Sequence, residues 1–241
     1  MIRSGNPALR GNVFAGARAE GSAGVMTIQG TVNKTLILLG CVLLSAFWAW
    51  SNMGVAAALI IPAAIIGLVL ALVTVFKKEW AGITSPIYAL VEGVVLGGIS
   101  AVFEAQYQGI VFQAVTLTFA VLFSLLIAYK SRLIKVTENF KLGVVAATGG
   151  IMLVYIVNMV MSFFGARIPF IHESGALGIG FSLFVVVIAS LNLVMDFDFI
   201  ENGAEYGAPK YMEWFGAFGL IVTLVWLYLE ILRLLAKLRE R

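Results

Sequence analysis

Cysteine is nearly missing from this chain. Cys41 stands alone in an apolar run, which excludes an internal disulfide, thiol redox chemistry and a thiolate metal site. Histidine is equally scarce, and the single one, His172, sits beside Glu173 in a connecting stretch where a solvated side chain is the plain reading. No HExxH or GxGD stretch, no Ser-His constellation and no glycine-rich phosphate loop is present, so proteolysis and nucleotide chemistry have no residues to work with. Charge is thin as well: 12% of the 241 residues are charged and 61% are hydrophobic, with a mean hydropathy of +1.00, outside the range of soluble domains. The chain reads as an all-α, polytopic membrane protein with no separate catalytic domain, not an enzyme and without a cofactor. Its net charge of +3 does not indicate nucleic acid, because the basic residues flank apolar runs as the positive-inside rule predicts.

What is present is seven apolar segments, each long enough or nearly so to cross a hydrocarbon core that needs roughly 20 residues. They are expected at about 35–51, 54–76, 86–103, 110–129, 143–164, 175–197 and 214–235, within a transmembrane region 35–241. Residues 1–34, rich in Gly, Ala and Ser and lacking a signal-peptide core, are expected to form a largely disordered cytoplasmic tail, with NPALRGNVF as an alternative interfacial segment. An inside N-terminus places Lys34, Lys77, Lys78, Lys130, Arg132, Lys135 and Lys141 in the cytoplasm of a cell membrane. Seven full crossings then leave Arg233, Lys237, Arg239 and Arg241 outside, against the rule. Seven crossings are the reading adopted here, and a re-entrant last segment is the alternative. Small residues mark helix contacts: Ala63, Gly67 and Ala71 in the second segment, and the GxxxG pair Gly93 and Gly97 in the third.

Acidic residues in such segments are the candidate functional groups. An ionised carboxylate near the bilayer centre costs about 3 kcal/mol even on the lenient insertion scale, so it faces a partner, a wet cavity or a proton. Glu92, Asp196 and Glu230 qualify. Asp196 shares a small, polar stripe with Gly178, Ser182, Ala189 and Asn192; Glu230 shares one with Gly216, Gly219, Thr223, Trp226 and Arg233. Each acid also has a plainer reading. Glu230 and Arg233 are three apart and suit an intrahelical ion pair, Asp196 suits a wetted helix end, and Glu92 suits a structural hydrogen bond. Asp198 points to the opposite face, and Arg233 or Lys237 would latch an acid or snorkel to the interface. A last helix beginning at Trp214 puts Glu230 about 24 Å from the cytoplasmic end. Asp196 stands near that end, so Glu213 is the acid expected level with it.

The stretches LVMDFDFIENGAEYG and WLYLEILRLL resemble the transmembrane Bax inhibitor-1 motif family, in particular its bacterial branch, and the resemblance covers about 35–235. It implies a bundle of six helices around a central seventh, and a pH-sensitive calcium leak governed by an acidic pair on the sixth and seventh helices. Carried over, that pair falls on Asp196 and on Glu230, which stands where the family has Asp. Both acids would then be transient calcium ligands, in keeping with the oxygen ligands that hard cations take. Crowded carboxylates share protons, so proton occupancy would set both the charge of the path and the contacts that hold it shut. The partners expected are the lipid bilayer, calcium and protons. Two other functions compete with it: a proton-coupled transporter, which would use the same acids but usually shows paired discontinuous helices, and a non-conducting regulator whose bundle binds other membrane proteins, with the N-terminal tail as the contact arm.

Overall fold

A computed structural model describes residues 24–165 and 173–240. Among these residues seven α-helices follow one another: α1 Ile28–Ser51, α2 Met53–Phe76, α3 Ala81–Gln106, α4 Ile110–Lys130, α5 Glu138–Phe163, α6 Ala176–Glu205 and α7 Met212–Arg239, with a 3-10 turn Lys78–Trp80 before α3. Among the described residues there is no strand, only an isolated antiparallel bridge between Val25 and Pro209. All seven helices are long and apolar enough to cross a membrane. α7 is the most enclosed: 72% of its most apolar window is buried, against 11% for α2 and α5. It runs unbroken for 28 residues, about 42 Å at 1.5 Å per residue, long enough to cross a hydrocarbon core.

The helices exceed the expected apolar segments where polar residues continue a helix that hydropathy had ended. α1 starts at Ile28, inside the expected tail, because the Thr27 side chain accepts from Gly30 N at 3.0 Å and caps it. α5 starts at Glu138 on the same device, Thr137 accepting from Phe140 N at 3.2 Å. α6 runs past Phe197 to Glu205, where Gly207, at φ 67°, closes it: Ala208 N donates to Gly203 O at 2.9 Å and Gly207 N to Ala204 O at 3.2 Å, the paired bonds of a Schellman cap. The expectations for residues 1–23, NPALRGNVF among them, and for His172 lie outside the described residues.

Two compact units divide the chain, Met1–Gly98 with Asp198–Ile221 and Ile99–Phe197 with Val222–Arg241. In the first, the GxxxG pair of α3 is the seat of α1. A Cβ at Gly97 would lie 2.8 Å from Ala46 Cα, and one at Gly93 would meet the Val42 carbonyl and the Ser45 hydroxyl, so neither position admits a side chain. Thr74 and Thr84 close the α2–α3 connection through hydroxyls 2.7 Å apart, and Tyr88 packs edge-on to Phe218 at 5.1 Å. The second unit is built around Ile151 of α5 with Val185 and Ile188 of α6, against which Tyr155, Phe181 and Trp226 pack. Ser100 and Tyr228 add a buried hydroxyl pair at 2.6 Å.

Candidate functional site

Asp196 lies nine residues before the end of α6, about 14 Å inside it. The expectation of a helix-end acid is therefore corrected, and the cause is the extension of α6 to its glycine cap. The Thr223 side chain of α7 faces the Asp196 carboxylate. The second oxygen, Oδ2, is shut off from solvent and has no hydrogen-bond partner among the described residues. One helical turn back on the same stripe, Asn192 Nδ2 donates to Thr148 Oγ1 and to Ile188 O, both at 2.9 Å.

Thr223 also fixes the register of the other acids on α7. Glu230 is seven residues further along, about 10 Å, and Glu213 is ten residues before, about 15 Å. Glu230 is occupied elsewhere. Its carboxylate, 2% exposed, accepts from Tyr155 Oη at 2.8 Å, and Arg233 Nη1 reaches both of its oxygens at 2.8 Å. Arg233 also donates to Tyr155 at 2.8 Å and stacks over its ring at 5.4 Å. Tyr155 is the partner that no single-helix reading supplies, since it comes from α5. One turn beyond Arg233, the buried Lys237 donates to Gly178 O at 3.0 Å and Ser182 Oγ at 2.9 Å instead of snorkelling outward.

An apolar layer separates these two polar levels, and each of three helices contributes to it. On α5 the order is Thr148, Ile151, Tyr155; on α6 it is Asn192, then Ile188 and Val185, then Ser182; on α7 it is Thr223, Trp226, Glu230. The layer residues form one packed cluster, with Val185 fully buried.

The remaining acids belong to the first unit. Glu92 lays its carboxylate along α2 at Gly67, where a Cβ would be 3.0 Å from Oε2. Among the described residues it has no hydrogen bond or ion pair, and its charge is felt by Tyr88, one turn back on α3. Glu213 is fully buried and saturated: it accepts from Thr27 N and Oγ1 at 2.9 Å each, from Lys210 Nζ at 2.7 Å, and from Lys34 Nζ. Gly30 leaves the room this carboxylate occupies. Asp198 sits on the far side of the unit boundary from Asp196, its carbonyl accepting from Asn202 at 2.6 Å. Among the described residues no three His, Cys, Asp or Glu side chains converge as a metal-holding group.

This geometry stands in a chain whose family is defined over almost its whole length. The family model described as Bax inhibitor 1 like matches residues 6–240. The chain belongs to that family, and with seven spanning helices it is a multi-pass membrane protein. No curated protein matches it.

Proposed function

We propose that this protein is a proton-gated cation leak, with calcium as the permeant ion, in a cell membrane with its N-terminus in the cytoplasm. The observation that carries the reading is Asp196 Oδ2, an acidic oxygen deep in a spanning helix, enclosed and without a partner. A carboxylate so placed is stabilised by a cation or by a proton, and exchange between the two couples permeation to pH. Glu230, in contrast, is neutralised by Arg233, so its part is to hold α5 against α7. Glu92 offers a second unpaired carboxylate in the first unit. The orientation rests on Lys77, Lys78, Lys130, Arg132 and Lys135, which lie in or beside the connections that follow α2 and α4. No catalysis and no resident cofactor are assigned.

The test is reconstitution of the full chain into liposomes loaded with a calcium dye, with pH stepped across roughly 6 to 8, where coupled or buried acids titrate. Passive flux whose pH response disappears in Asp196→Asn is expected. Flux that requires a proton gradient would indicate a transporter instead. No flux at any pH, with a membrane partner recovered by crosslinking, would indicate a non-conducting regulator.

A further inference from the structure

We infer that Glu92 is a proton-binding site in its own right: at neutral pH it is an uncharged acid laid into the gap at Gly67, and loss of the proton loosens α2 from α3. The inference does not depend on the leak reading. It gives this carboxyl a role other than touching a permeant ion.

The two helices meet along one antiparallel seam. Thr74 and Thr84 join through hydroxyls 2.7 Å apart at one end, and at the other a Cβ on Gly98 would lie 2.7 Å from Ile60 Cδ1. Between them, a Cβ on Gly67 would lie 3.0 Å from Glu92 Oε2 and 3.8 Å from Val91 Cγ1. Glu92 is thus near the middle of the seam, about 12 Å along α3 from Thr84 and about 9 Å from Gly98. It stands about 17 Å from the start of α3, at the depth of the hydrocarbon core. The seam is also narrow: the buried residues of α2 are Ala56, Ala63, Gly67 and Thr74.

No counter-charge is at hand in this unit. From Met53 to Phe76 α2 carries no ionisable side chain, and Lys77, Lys78 and Glu79 begin about 15 Å beyond Gly67. On α3, Tyr88 is one turn from Glu92 and Glu104 is more than three turns on. α1 carries Cys41 and Lys34, and Lys34 is bound to Glu213. The α7 stretch of the unit has Glu213 alone, held by Thr27, Lys34 and Lys210. A carboxyl at that depth without a cation is neutralised by a proton. As an uncharged group it suits a seam of small apolar residues. As an ion it draws in water, and the contact that must open to admit water is the one that holds α2.

The experiment takes the purified full chain in liposomes from pH 6 to 9. Dicyclohexylcarbodiimide, an apolar reagent that reacts with protonated carboxyls, reads the proton, and amide exchange of α2 reads the seam. Mass spectrometry should find the adduct on Glu92 at pH 7, declining as pH rises. Exchange of amides 63–74, with the ordinary base-catalysed acceleration divided out, should quicken over the same range by up to roughly 100-fold, the effect of an unpaired ion at mid-span. Glu92→Gln, which keeps the uncharged shape, should stay slow throughout. Tyr88→Phe should behave as wild type, because the phenol is not the group that titrates. No adduct on Glu92, no quickening in the wild type, or a quickening that Glu92→Gln shares or Tyr88→Phe removes overturns the inference. Neither readout is a flux, so the leak stands or falls by its own test.

Discussion

Arg233 holds Glu230 through one nitrogen that also reaches Tyr155, so deleting the guanidinium leaves a buried carboxylate with a single phenol donor. Breaking a buried pair from one side costs about 3–5 kcal/mol, and the lower end applies because the Arg233 side chain is 39% exposed. Arg233→Met should therefore destabilise by about 3 kcal/mol, and Glu230→Gln with Arg233→Met should recover most of that. Unfolding in detergent measures both, and additive effects would show that the two side chains are not coupled. The pair was legible in the sequence, since three-residue spacing on one helix face is a local property. The isolation of Asp196 was not: it depends on which residue of α7 stands opposite, and that follows from where α6 ends.

At the scale of helices, Gly97 lets α1 lie directly on α3, and backbone atoms of Ala46 occupy the place of its missing side chain. Backbone cannot turn aside as a flexible side chain can, so Gly97→Ala should push the helices apart and cost about 1–3 kcal/mol, read as a lower Tm. The GxxxG spacing announced a close contact but not its partner, because small residues record only that something approaches. The apolar layer of Ile151, Val185, Ile188 and Trp226 gives a second expectation. Constrictions of this kind hold ions back by excluding water. Val185→Ser should raise liposome flux at every pH, with a smaller pH response than wild type; unchanged flux and pH response would remove the layer from the gating scheme. Its residues were visible as ordinary span residues, and only the three-helix cross-section sets them between two polar levels.

For the molecule as a whole, all seven helices are long and apolar enough to cross a membrane, and seven crossings from the proposed cytoplasmic N-terminus would carry Lys237 and Arg239 to the face that basic residues usually avoid. In a background with Cys41 replaced by Ala, Leu238→Cys should be modified by an impermeant maleimide from outside whole cells, and Lys135→Cys only after the membrane is opened. Glu240 supplies a pH expectation at the same end of α7. Hydroxyls of Ser174 and Tyr107 hold its carboxyl below the ordinary 4.5, so this contact contributes above that value and is lost as pH falls through the lowered one. Amide exchange around 107–111 and 173–176 should then stay flat from pH 5 to 8 and rise only on acidification past the ordinary carboxyl range, and Glu240→Gln should abolish the step. Hydropathy made the number of spans legible, because it is a sum over many residues, whereas the caps that set their lengths hang on single residues such as Thr27 and Gly207. Thr27 and Lys34 also have a bearing on synthesis. Their acceptor, Glu213, lies 186 and 179 residues downstream. At about 5–20 residues per second the ribosome needs roughly 10–40 s to reach it. Throughout that wait the nascent first span is without its clasp, and a chain stalled before α7 would expose it to membrane quality control.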